Sequence, residues 1–254
     1  MASISVVVIT KNEEARIRAC LETVCWADEI IVVDAYSIDQ TVAICHEYTD
    51  RVYRRDWPGY TAQKNWGIEQ ATGNWVLSLD ADEGVTPELR AEIQALLAGA
   101  SPYVGYLIPR RNYLGSHCMR YAGQYPDYQL RLFRRDRGRF VGTIHERVQI
   151  NGPVGRLRGA IVHHTYRDLS DYWLRMERYA TMEAQAQFQA GQHAGLRAPL
   201  SALALAVWLY TVRGGWRGGF LGLINSLFPA FYQFLIAAKL WELRSENRSR
   251  HLSL

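Results

Sequence analysis

Strands and helices alternate through the first hundred residues of this chain, and that rhythm leaves few folds open. Ile4 to Ile9 is a β-branched run with the composition of a buried parallel strand. Asn12 to Val24 reads as a helix with Asn12 as N-cap and Glu13 and Glu14 in its first turn. Glu29 to Val33 is a second strand ending at Asp34, Thr41 to Tyr48 a short helix, and Val52-Tyr53 a third strand. Thr61 to Gln70 is helical and Trp75 to Leu79 is the next strand. Pro87 to Leu97 is a helix opened by Thr86, with Pro87 at the first helical position. The alternation predicts an α/β, doubly wound, mainly parallel sheet. Such sheets bind ligands beyond the carboxyl ends of their strands, where Thr10-Lys11, Asp34 and Asp80 all fall.

After Ala100 the rhythm breaks. Gly105 to Arg111, Gln129 to Phe133 and Glu146 to Ile150 read as strands of a mixed or antiparallel extension, and residues 112–128 as a loop region. Ser170 to Gln192 is a long polar helix capped by Ser170. From Pro199 the composition turns apolar. Leu200 to Val212 is too short to span a membrane, and Phe220 to Trp241 is interrupted by Asn225, Ser226, Pro229, Gln233 and Lys239. The pair is either a buried helical hairpin or dimer interface, or a membrane-contacting hairpin. Trp208, Tyr210, Trp216 and Trp241 beside Arg213, Arg217, Lys239 and Arg244 favour the membrane. The expected domains are 1–195 (a nucleotide-binding half over 1–100 and an acceptor half over 101–195) and a helical appendage over 196–254.

Composition excludes some classes. A net charge of +4 on 254 residues gives no footprint for nucleic acid. The four cysteines, Cys20, Cys25, Cys45 and Cys118, have no metal-type spacing and suit a reducing cytoplasm. The chain enters its first strand without the basic region and cleavage site of a signal peptide, which predicts a cytoplasmic location. No G-x-G-x-x-G follows the first strand, which argues against a dehydrogenase.

Four motifs stand in order: Val8-Ile9-Thr10-Lys11-Asn12-Glu13-Glu14, then Val33-Asp34-Ala35-Tyr36-Ser37-Ile38-Asp39-Gln40-Thr41, then Ala62-Gln63-Lys64-Asn65-Trp66-Gly67, then Asp80-Ala81-Asp82-Glu83. Alone, an acidic pair after a strand is more often a turn than a metal site. Together the motifs resemble the nucleotide-sugar half of family 2 glycosyltransferases, which have the GT-A fold. Three later pieces, 125–133, 142–146 and 162–166, look like the branch of bacterial lipopolysaccharide core β-glucosyltransferases that act on an inner-core heptose.

The resemblance implies an inverting transfer of a sugar, glucose in that branch, from a UDP-sugar to a lipopolysaccharide core or other lipid-linked acceptor. The site would lie at the cytoplasmic face of the bacterial inner membrane. A Mg²⁺ or Mn²⁺ ion would neutralise the leaving diphosphate. Carried over by position, Asp80 contacts ribose or metal, Asp82 coordinates the metal, and His163 of the His163-His164 pair completes that site. Asp34 reads the uracil, Thr10 and Glu13 line the nucleotide pocket, and Lys64 stands where many members have Arg. Glu83 stands where many have Asp and is left unassigned.

An inverting transfer needs a base for the acceptor hydroxyl. The family's Glu-Asp pair is missing, and His145-Glu146 stands instead, so Glu146 is the expected base and Asp127 its rival. Asp127 also reads as a turn residue and Glu146 as an ion-pair partner of Arg139 or Arg147. Arg131, Arg134 and Arg135 form a basic cluster for a diphosphate or a phosphorylated heptose, or a solvated strand edge. Asp39 is expected to cap the helix near Thr41. Two other readings stand beside this one: transfer to a polyprenyl phosphate, already an anion and needing no base, and an inactive nucleotide-sugar-binding or membrane scaffold.

Overall fold

The computed structural model describes residues 2–142, 146–193 and 198–252, with side chains to residue 247. Its strands are β1 Ile4–Thr10, β2 Glu29–Asp34, β3 Val52–Arg54, β4 Trp75–Asp80, β5 Glu83–Val85, β6 Gly105–Leu114, β7 His117–Cys118, β8 Asp127–Arg134, β9 Gly138–Val141, β10 Arg147–Ile150, β11 Val154–Arg156 and β12 Ile161–Tyr166. Its helices are α1 Ile17–Glu22, α2 Thr41–His46, α3 Tyr60–Gln70, α4 Pro87–Ala98, α5 Leu169–Gln189, α6 Ala198–Thr211 and α7 Gly219–Leu252. The chain divides into two units, Met1–Arg111 with Asp127–His164, and Asn112–Pro126 with Thr165–Leu254.

The first unit is the doubly wound sheet. Its order is β3-β2-β1-β4-β8-β6-β12-β5, with β11 on β6 and a separate β9-β10 hairpin. β1 to β4 run parallel, and β8 enters antiparallel against β4 and β6. The central strand β1 is buried along its whole length, which explains its unbroken β-branched composition. The main apolar core joins Val6, Val8, Leu77 and Leu79 to Ile17, Leu21, Leu89 and Ile93 of α1 and α4. A second core covers the other face, with Val7, Ile31 and Val33 under α3.

Gly67 permits that second layer. A Cβ there would stand 2.5 Å from Val7 Cγ1, so only glycine lets α3 settle this low on β1. Two caps differ from expectation. Asn12 does not cap α1, which begins at Ile17. It takes a left-handed backbone, φ 52°, and its Oδ1 accepts the Ile38 N–H at 2.9 Å, tying the β1 loop to the β2 loop. At α5 the cap is Asp168, whose Oδ1 accepts the Asp171 N–H at 2.8 Å, rather than Ser170. Thr86 caps α4 as expected.

The second unit is helical. α7 runs 34 residues as one helix, and Asn225, Ser226, Pro229, Gln233 and Lys239, which interrupt its apolar run in the sequence, all lie inside it. α5 and α6 both pack along it. That lateral packing holds the helix where local propensity does not. By length and composition it could cross a membrane.

Candidate active site

Strand register gathers the site. Thr10 pairs with Asp34 across β1 and β2, and Ile9 pairs with Asp80 across β1 and β4. Three strand ends thus meet on adjacent rungs of the carboxyl edge. Asp34 is buried, accepts the Ser37 N–H at 2.9 Å, takes a short hydrogen bond from the Ser37 hydroxyl, and faces Arg54 Nε at 3.5 Å. The Thr10 hydroxyl is buried without a hydrogen-bond partner among the described residues. Glu13 sits on the next loop, where its N–H donates to Thr41 Oγ1 at 2.8 Å and its carboxylate lies 3.8 Å from Arg16. Asp39 does not take the N-cap position of α2, which Gln40 holds; one residue ahead of it, Asp39 Oδ1 accepts from the Thr41 N–H at 3.0 Å, an Asx-type turn leading into the helix.

Behind this edge lies a continuous chain of alternating charges. Lys64 is fully buried, with Nζ 2.9 Å from Glu146 Oε1 and 3.0 Å from Asp80 Oδ1. Arg131 reaches Asp80 Oδ2 at 2.8 Å and Glu83 Oε1 at 3.0 Å. Arg110 reaches Glu83 Oε1 at 3.2 Å and donates twice to Asp127 Oδ2, at 2.7 and 2.9 Å. Gln129 donates to Asp127 Oδ1 at 2.7 Å. Burial alone would raise the Asp80 carboxyl, but Lys64 and Arg131 outweigh it and hold the group well below the usual carboxylate range. Arg131 feels the same balance in reverse: burial opposes its charge, while Glu83 and Asp80 keep it protonated.

Local structure positions these groups. The low seat of α3 sinks Lys64 under the sheet edge. The next residue, Asn65, clamps Phe140 of β9 with two hydrogen bonds, donating to its carbonyl at 3.0 Å and accepting its N–H at 2.9 Å. β10 pairs with β9 from Arg147 onward, which delivers Glu146 to Lys64. The rest of its motif, Thr143 to His145, lies outside the described residues.

Asp82 faces a different set. β12 pairs with β5, and the His164 N–H donates to the Asp82 carbonyl at 3.0 Å. This puts His163 Nε2 3.6 Å from Asp82 Oδ2, both side chains 13% exposed, while Arg16 stands 3.4 Å from the same oxygen. Among the described residues no three His, Cys, Asp or Glu side chains gather as a metal site, so a carboxylate oxygen and an imidazole nitrogen at one partly open point are at most two of the ligands a divalent cation would need, and Arg16 shares that oxygen. Asp80 fits that role less well, since both of its oxygens face cationic side chains.

The expected basic cluster does not form. Arg131 is inside the charge chain, whereas Arg134 lies over the Trp75 ring and Arg135 donates to the Gly73 carbonyl, at the amino end of β4. Sequence reasoning missed Arg16, Arg110 and the buried Glu83. The Arg110 partner, Asp127, stands opposite it across β6 and β8, a pairing that only the strand register reveals.

Residues 5–161 match the sequence profile of Glycosyl transferase family 2. The chain belongs to this family. The lipopolysaccharide core biosynthesis glycosyltransferase LpsC of Rhizobium meliloti is 32% identical over 94% of this chain and 92% of its own length. An uncharacterized glycosyltransferase of Rickettsia typhi is 30% identical over 98% of this chain and 90% of its own. The crystal structure of S. aureus TarS residues 1–349 aligns with a TM-score of 0.49 at 16% identity, covering 96% and 92% of the two chains.

Proposed function

We propose that this glycosyltransferase moves a sugar, glucose by the motif resemblance, from a UDP-sugar to a lipopolysaccharide core acceptor, with inversion, at the cytoplasmic face of the inner membrane. The observation that carries the reading is the meeting of Thr10, Asp34 and Asp80 on adjacent rungs, with Asp82 and His163 converging beside them. The name of the Rhizobium relative supports the acceptor class.

In this reading Asp34, Thr10 and Glu13 receive the nucleoside, the unpartnered Thr10 hydroxyl gaining a hydrogen bond when the site fills. Asp82 and His163 would hold Mg²⁺ or Mn²⁺. When bound, the cation stabilises charge on the departing diphosphate. Asp80 and Lys64 fix the edge against which the diphosphate lies. Glu146 takes the proton of the acceptor hydroxyl as the new bond forms. Asp127 is the weaker candidate, because both its oxygens already accept N–H bonds from Arg110 and Gln129. A hydrophobic C-terminal hairpin at the membrane would raise the effective concentration of a lipid-anchored acceptor.

The test is nucleotide release by purified protein from a panel of UDP- and GDP-sugars with Mn²⁺, with and without lipopolysaccharide core acceptors. Release from a UDP-sugar that depends on a core acceptor is expected, and failure with every donor sinks the reading. Glu146→Gln should lower transfer by about 10²–10⁴-fold while donor binding persists. If Asp127→Asn alone does so, the base is Asp127.

A further inference from the structure

The helix α6 is built inside out. Its buried stripe is Ala202, Ala206 and Leu209, with α7 packed against the helix. Its large side chains face outward, with Leu200 69% and Leu203 64% exposed and Val207 and Trp208 beside them. A helix at home in water does the reverse. The segment also carries no charged residue. The apolar face continues around the turn into α7, where Val212 and Phe220 are more than two-thirds exposed. Two cations mark this end. The Arg213 guanidinium stacks 5.3 Å from the Trp208 ring, and that of Arg217 5.1 Å from Trp216. Both arginines are exposed.

Charge decides what covers this face. Between Glu183 and Glu242 the sequence has no Asp or Glu. A second copy meeting through the same face would set arginine against arginine with no carboxylate to answer. Anionic phospholipid supplies the missing charge, and Trp–Arg pairs are suited to the headgroup level.

Depth follows from the neighbours. At about 1.5 Å per residue α6 is roughly 21 Å long, short of the ~30 Å hydrocarbon core. α7 is long enough to span, but α5 lies along it. Tyr172 of α5 clusters with Leu221 and Phe228, Ala180 and Ala184 with Ile236 and Leu240, and Glu177 pairs with Lys239 at 2.7 Å. Drawing α7 through a bilayer would carry α5's Asp171, Glu177 and Glu183 into hydrocarbon, at high cost.

We propose that the outer face of α6 and the turn into α7 form a monotopic anchor seated in a leaflet containing anionic phospholipid. The apolar face enters the acyl boundary, Trp208 and Trp216 lie at headgroup level, and Arg213 and Arg217 contact lipid phosphates. This deepens the membrane placement proposed above by naming the anchoring face, its depth and the lipid charge. The assay that tests it contains no sugar donor, so its failure and the failure of the transferase reading are separable.

The test is co-sedimentation of the full chain with vesicles of phosphatidylcholine alone and of phosphatidylcholine mixed with phosphatidylglycerol. Binding to the mixed vesicles should be tighter by roughly ten- to thirty-fold and should weaken with added salt. The double variant R213E/R217E, both positions exposed, should keep its circular dichroism and lose the anionic preference. L203S/V207S should weaken binding to both vesicles. Equal binding to the two vesicles, or a preference that survives R213E/R217E, overturns the proposal. It is equally overturned if no vesicle binds and the chain runs as a dimer that L203S/V207S dissociates. If the serine variant fails to fold, the wild-type comparison and R213E/R217E still decide.

Discussion

Glu83 is the residue on which the site's geometry turns. One of its oxygens accepts from Arg110 and Arg131, and the other accepts the Asp80 N–H at 3.0 Å. A single buried carboxylate therefore sets the orientation of Asp80 on one side and, through Arg110, of Asp127 on the other. Glu83→Gln keeps the shape and removes the charge, leaving two guanidinium groups short of an anion. We expect a loss of about 3 kcal/mol in folding stability by urea titration. We also expect a fall in kcat larger than the change in donor KM, because Asp80 and its neighbours lose their fixed geometry. An unchanged kcat in folded protein would reduce Glu83 to a structural role. The sequence shows Thr10, Asp34, Asp80 and Asp82 plainly, because each follows an apolar run and falls at a strand end. It hides the pairing of Glu83 with Arg110 and Arg131, of Arg110 with Asp127 and of Arg16 with Asp82, because those partners come from other strands and loops. Nothing local distinguishes a buried ion pair from a solvated one.

Among the elements, α3 shows how packing overrides propensity. On propensity alone Gly67→Ala should stabilise a helix interior by about 0.5–1 kcal/mol. The Val7 side chain in its way reverses the sign, and the cost should be about 1–3 kcal/mol. Val7→Ala should recover part of that loss, which a double-mutant cycle by denaturant titration measures. Additive losses would mean that the two side chains do not meet. β1 to β4 and α2 to α4 are legible in the sequence because their apolar periods and turn residues are local, whereas the three-residue β5 is not, since its pairing partner β12 lies far along the chain. α1 starts late because Asn12 spends its side chain on the β2 loop rather than on a helix end, a long-range choice. The apolar run of α7 reads as interrupted because Asn225, Ser226, Pro229, Gln233 and Lys239 are local signals, while the α5 and α6 surfaces that pack along the helix are not.

Over the whole molecule, the depressed Asp80 carboxyl links stability to pH. Its folded value lies below its unfolded one, so its contribution is complete above about pH 4 and is lost as pH falls through the lowered value. Asp80→Asn should therefore be less stable than wild type at neutral pH. The gap between their urea midpoints should close in acid. A gap that stays constant from neutral pH down into strong acid would contradict the link.

The alternating charge chain has one more consequence, for the form in which nucleotide arrives. Four carboxylates, Glu146, Asp80, Glu83 and Asp127, are threaded by three cations, Lys64, Arg131 and Arg110, so every positive group there is already spoken for. A bare diphosphate finds little surplus attraction in that network. Under the proposed roles, the species that suits the site is the nucleotide already chelated. Titration calorimetry should show UDP binding more weakly by about tenfold or more without Mn²⁺ than with it. The rate should follow the concentration of the chelate rather than that of total nucleotide. This would make intracellular divalent metal, and not only sugar supply, a throttle on the transfer.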